Sequence, residues 1–161
     1  MLRRGDAVTL ESAAREAALT KPGLMYHFRT KEALMLGLID HVAQRWEALL
    51  ASHLRVPLDQ ASAVERVRAY VDFALTGGFD ETDIVMLSDP RLRDPLATRW
   101  TEQMKPWIEL PAALPDPQRA RLTAARLMAD GAWLACATGM FPPDQRDRER
   151  IRAIAYDLLE D

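Results

Sequence analysis

Apolar residues recur at helical spacing along most of the chain, and the breaks between these stretches coincide with capping residues and prolines. Thr9 stands as an N-cap, and Leu10, Ala13, Ala14 and Ala17 then form one weakly apolar face. Ala18-Leu19 is the turn. Thr20 caps a second short helix, Lys21 to Phe28, with Pro22 early in it, where a missing N–H costs little. Leu24 and Phe28 lie one turn apart on its inner face. Arg29-Thr30 breaks it, and Thr30 caps a long helix that should run from Lys31 to about His53 before Pro57 ends the segment. Its stripe is Leu34 or Met35, Leu38, Ile39, Val42, Trp46, Leu49 and Leu50.

The remaining chain reads the same way. Ser62 or Ala63 opens a helix with Val64, Val67, Val71, Ala74 and Leu75 on its buried side and Tyr70 and Phe73 flanking, and Gly77-Gly78 stops it. Glu81 to Asp89 is short and apolar in the middle, and Pro90 and Pro95 bracket a loop. Leu96 to Leu110 is a further helix that Pro106 should kink or end early. Asp116 is expected to cap a helix from Pro117 to about Thr138, rich in Ala and Gly. Pro142-Pro143 breaks it, and Asp144 opens a last helix with Ile151, Ile154, Ala155 and Leu158 on one face. No strand pattern and no repeat stands out. The fold class is all-α.

At 161 residues, nearly half of them apolar and 28% charged, the chain can bury a sizeable core and is globular rather than disordered. The lone Cys136 allows no internal disulfide and no multi-cysteine metal site, which fits a cytoplasmic protein. Met1 to Leu10 carries Arg3-Arg4 but no apolar core, so it is not a signal peptide. The longest near-apolar run, Leu127 to Phe141, contains Asp130 and is too short to span a membrane. Net charge is −3, unevenly spread. Residues 1–55 hold eight Lys/Arg against six Asp/Glu, and residues 56–161 hold thirteen against eighteen. A mildly basic head on an acidic body suits a reader of DNA, although the asymmetry is also that of ordinary surface charge.

Two short helices joined by a tight turn make a helix-turn-helix. Residues 9–34 resemble the DNA-binding motif of the tetracycline-repressor (TetR) family, with Thr9, Leu10, Ala14, Ala17, Thr20, Leu24, Tyr26, His27, Phe28, Lys31, Glu32 and Leu34 at matching spacing. The Tyr-His-Phe run followed by Lys-Glu-x-Leu is its most specific part. The chain departs from the family pattern at Ala18, where the family has a turn glycine, at Ala13, where it has a large aliphatic, and at Met25, where an aromatic is common. Family members also carry a complete helix before the motif, where only Met1 to Val8 precede Thr9 here. The expectation is an N-terminally incomplete head, either cut short or degenerate.

The resemblance implies a helix-turn-helix head and connecting helix over residues 1–53, and a helical effector-binding and dimerisation body over residues 56–161. It implies a ligand-responsive regulator, a repressor, that binds double-stranded operator DNA as a homodimer. The rival is a ligand-binding or scaffold helical dimer that has lost DNA binding. Contacts to DNA then fall on Thr20, Lys21, Pro22, Gly23, Met25, Tyr26, His27 and Lys31; a solvated helix face is the plain alternative. Lys21 suits a base edge, since an ammonium reaches guanine O6 and N7. Tyr26, His27, Lys31 and the Thr20 hydroxyl suit phosphate. Arg3 and Arg4 are either further phosphate contacts or a solvated tail.

The effector candidates are Tyr70, Phe73, Met86, Trp100, Met104, Trp107, Met128, Asp130 and Trp133, a set that also reads as plain core. Asp130 interrupts an apolar helix and needs a partner. Arg126, one turn back, would make it structural, whereas a cationic or hydroxylated ligand would make it functional. Ala132, Ala135, Ile151, Ile154, Ala155 and Leu158 are the dimer-interface candidates. An enzyme reading finds little to stand on. Cys136 has no nearby His, the three histidines are not spaced as metal ligands, and no Gly-rich phosphate loop is present. No cofactor, metal or membrane partner is implied.

Overall fold

A computed structural model describes residues 9–76, 79, 83 and 90–160. Arg3, Arg4, Gly77, Gly78, Met86 and nearly all of the expected apolar segment from Glu81 to Asp89 lie outside the described residues. Those residues form seven α-helices and no strand: α1 (Leu10–Glu16), α2 (Lys21–His27), α3 (Lys31–Ser52), α4 (Ala63–Leu75), α5 (Arg93–Ile108), α6 (Asp116–Thr138) and α7 (Gln145–Leu159). Short 3-10 turns at Leu58–Gln60 and Pro90–Leu92 precede α4 and α5.

The caps expected from the sequence are largely in place. Thr9 and Ser12 cap each other's backbone at the start of α1, and Ser62 and Glu65 do the same for α4. The Thr20 hydroxyl accepts from the Gly23 N–H at 3.2 Å, the Thr30 hydroxyl from Ala33 at 3.0 Å, and the Asp144 carboxylate from Asp147 at 2.8 Å. Two readings around prolines are corrected, at Pro95 and at the start of α6. Pro95 does not bound a loop; it sits in the first turn of α5, where a missing N–H leaves no helical bond unmade. Pro106 lies inside α5, and the helix ends two residues later at Ile108, short of Leu110, in keeping with the early end expected there. At α6 the N-cap position belongs to Pro115, and Asp116 is the first helical residue with no side-chain cap bond.

The chain divides into two compact units, and the division falls inside α3 and inside α5. The first unit holds residues 9–44, 83 and 90–103 among those described. Here α1 packs on α2, with Ala14 and Leu24 buried between them, and the first half of α3 buries Leu34, Met35, Ile39, Val42 and Ala43. Gly37 admits the Phe28 ring, since a Cβ at that position would stand 2.8 Å from the ring's Cε1. Asp40 of α3 receives both Nε and Nη2 of Arg99 from α5, at 2.7 and 3.0 Å, and Gln103 adds a third bond at 3.1 Å.

The second unit holds residues 45–76, 79 and 104–160 among those described. α4, α6 and α7 pack on one another there. α4 is buried nearly all round, at Val67, Ala69, Tyr70, Val71, Phe73, Ala74 and Leu75, as befits a central helix. α6 buries chiefly small residues, Ala125, Ala129, Ala132 and Ala137, with Leu122. The Arg66 guanidinium of α4 donates to the carbonyls of Pro106 and Glu109, satisfying the open end of α5.

Two predictions follow from this packing. Ala18 holds a left-handed backbone, φ +53°, in the turn between α1 and α2. Ala18→Gly should therefore stabilise the first unit by about 1 kcal/mol, seen as slower amide exchange over residues 9–28; unchanged exchange would show that the turn is not strained. The Asp40 carboxyl is held below its usual range, chiefly by the hydrogen bond from Arg99, against the opposing effect of burial. A depressed carboxyl stabilises the fold above its unfolded pKa and loses that contribution as pH falls through the folded value. Asp40→Asn should lower the urea midpoint at neutral pH, and the gap from wild type should close as pH falls below the ordinary carboxyl range and through the lowered folded value. A gap that persists in acid would mean that packing, not charge, is lost.

Candidate functional site

The head presents α2 outward. Its N-terminus is fixed by the Thr20 cap, and Leu24 is the residue it buries. Met25, Tyr26 and His27 are exposed, Tyr26 to 85%, and the Tyr26 and His27 rings meet edge to face at 5.3 Å. Thr20, Lys21 and Pro22 are also exposed, whereas Gly23 and Lys31 are half-buried. The Lys21 ammonium is paired with the Glu11 carboxylate of α1. That bond is the main reason the Glu11 carboxyl lies below its usual range, with a backbone bond second. The sequence reading missed Glu11; its only signal was an acidic residue on the first turn of the preceding helix. The arrangement offers a polyanion a cation, a phenol, an imidazole and a capped helix end on one short helix.

In the second unit the structure gathers four of the effector candidates. Tyr70 donates its hydroxyl hydrogen to Asp130 Oδ1 at 2.6 Å and accepts from Trp133 Nε1 at 3.1 Å, while Arg126 pairs with the other Asp130 oxygen. Burial first, and the Asp130 charge second, push the Tyr70 phenol well above its usual range, so it stays protonated as a donor. The carboxylate's need for partners is thus met within the chain. Phe73 and Trp133 close on Trp46, with ring centroids 4.8 and 5.3 Å away, and Phe79 completes the group at 5.7 Å from Trp46. Trp46 is 1% exposed. It was legible only as one position of the α3 stripe, and Phe79 only as an aromatic after two glycines. Met104 and Trp107 are buried in the same unit, Met128 is half-buried on α6, and Trp100 belongs to the first unit.

The interface candidates separate by exposure. Ala132 and Ala155 are buried within the chain, Ala135, Ile151 and Leu158 are half-buried, and Ile154 is 53% exposed. Two further residues join Ile154 in water: Leu127 at 54% and Leu134 at 38%, with Gly131 between them and open space where its Cβ would be. Their spacing puts Leu127, Gly131 and Leu134 on one face of α6. That spacing is present in the sequence. Among the described residues no group of three or more His, Cys, Asp or Glu is placed to hold a metal ion, and no helix is long and apolar enough to cross a membrane.

Comparison with known proteins points the same way. The relatives include the HTH-type transcriptional regulator EthR of Mycobacterium tuberculosis and of Mycobacterium bovis, each 25% identical over 122 residues, which is 75% of this chain and 56% of the relative. The chain thus spans little more than half the length of the curated relatives it matches. Residues 64–159 match the family described as tetracyclin repressor-like, C-terminal domain. That match runs from the first turn of α4 to the end of α7 and covers more than half of an all-helical chain, so the chain belongs to the tetracyclin repressor-like family.

Proposed function

We propose that this chain is a ligand-responsive transcriptional regulator of the cytoplasm, a repressor that grips double-stranded operator DNA as a homodimer. Residues 1–53 act as the head and residues 56–161 as the effector-binding and dimerising body. The observation that carries this reading is the surface of α2, which buries Leu24 and turns Met25, Tyr26 and His27 to solvent behind a Thr20-capped N-terminus. Such a helix lies in a major groove with its first residues at the base edges. Two heads related by a twofold axis would read half-sites one helical turn, ~34–36 Å, apart or a multiple of that. The relatives, transcriptional regulators of the helix-turn-helix type, support it.

The effector is a small molecule that enters the body beside the Tyr70–Asp130 pair. Neighbouring rings fill that space in this state, so the ligand would have to part them. Trp46 belongs to α3, and its displacement would move the helix that continues toward the head. An effector acts this way only if it binds the released state more tightly than the DNA-bound one. The mate docks on the α6–α7 face through Leu127, Leu134 and Ile154, with Ala132 and Ala155 packed behind them inside each protomer.

Binding of the full chain to DNA upstream of its own coding region, across a salt series, tests the reading. No preference for that DNA over a scrambled duplex would favour the scaffold dimer instead. Lys21→Ala should weaken the cognate site roughly tenfold or more while sparing scrambled DNA. Tyr26→Phe should weaken both alike with the salt slope unchanged, because a phenol carries no charge. Equal losses for Lys21→Ala on both duplexes would reduce it to a phosphate contact. Ile154→Arg, exposed in the protomer, should leave each chain folded yet sediment as a monomer, since a twofold seam meets the new charge twice. A dimer that survives the substitution would move the interface elsewhere.

A further inference from the structure

Glu11 and Lys21 stand ten positions apart, on the first turns of α1 and α2, and their side chains form an ion pair across the turn. Both remain in water, with the Lys21 side chain 48% and the Glu11 side chain 63% exposed. A pair so exposed adds little to stability. Packing does not explain it either, since Ala14 and Leu24 are what α1 and α2 bury. Its location is the informative part. The Thr20 cap makes Lys21 the first residue of α2, where base-reading side chains of a helix-turn-helix sit, and Glu11 reaches the same amine from the neighbouring helix.

We propose that Glu11 is a positioning residue for DNA sequence recognition: its carboxylate takes one N–H of the Lys21 ammonium and aims the other two at a single guanine. The proposal rests on the reading of α2 as the recognition helix. A lysine ammonium has three equivalent donors on a flexible stem and, left alone, meets phosphate and base acceptors alike. With one donor held by Glu11, two remain, and they match the adjacent O6 and N7 acceptors of guanine in the major groove. The carboxylate also carries a negative charge at the surface that faces phosphates. It disfavours any complex in which Lys21 finds no guanine to offset that repulsion, and so it acts against wrong sequences as well as for the right one.

The test uses the full chain and a duplex recovered by in vitro selection from random-sequence DNA with the wild-type protein. Affinity for that duplex and for a scrambled duplex of the same composition is measured across a salt series. Glu11→Gln should tighten binding to the scrambled duplex, steepen the salt slope by up to about one, and cut the ratio of the two affinities roughly tenfold. Glu11→Asp keeps the charge on a shorter stem; it should keep the wild-type affinity for scrambled DNA yet lose part of the ratio. In a Lys21→Ala background, Glu11→Gln should leave the ratio where it is. An unchanged ratio in Glu11→Gln, or the same loss with and without Lys21, overturns the proposal while leaving DNA binding by α2 intact. A wild-type protein that enriches no duplex overturns both.

Discussion

The close approach that an alanine-lined α6 allows is the constraint on which the body depends. Ala125, Ala129, Ala132 and Ala137 are its buried positions, so α4 and α7 can pack on its backbone rather than on long side chains. That proximity lets Tyr70 of α4 reach Asp130 at 2.6 Å and lets Trp133 close on Trp46. It also decides what faces water. A helix whose inner face is filled by methyl groups has its bulky apolar residues left over, and Leu127 and Leu134 stand exposed. The seam inside the chain and the apolar face left in water are two sides of one choice of residue size.

Two of the ion pairs illustrate how burial sets the meaning of a charge. Asp130 sits among aromatic rings, where an unpartnered carboxylate would be costly, and both of its oxygens are occupied by groups of the chain. Removing Arg126 would leave the Asp130 charge without its cation. Glu11 and Lys21 lie in solvent, where the same attraction is screened and weak. The exposed pair therefore adds little to the fold, whereas the part-buried one ties α6 to α4 through the Tyr70 hydroxyl.

The helix α3 draws its constraints from two different places. Near its start Gly37 accepts the Phe28 ring and Asp40 is clamped by Arg99; further on Trp46 is locked among Tyr70, Phe73, Phe79 and Trp133. All of these act on one helix of 22 residues without an internal proline. The first set of contacts lies in the first compact unit and the second set in the other, and α3 runs through both.

Much of this was written in the sequence. The all-helical class, the seven helices to within a few residues and the caps at Thr9, Thr20, Ser62 and Asp144 follow from local chemistry, because a cap and a helical stripe involve residues three or four positions apart. The prolines misled for the same local reason: a ring at position 95 looks like a break until its place in a first turn is known. The Arg126–Asp130 pair was legible, being one turn apart. Tyr70, 60 positions from Asp130, and Trp46 beneath Trp133 were not recognisable as its surroundings. Nor was the inward turn of Ala132 and Ala155 or the outward turn of Leu127 and Leu134. Periodicity tells which residues share a face of a helix. Only the tertiary structure decides what that face meets, because the neighbour is chosen by size and shape across distances in sequence that no local pattern encodes.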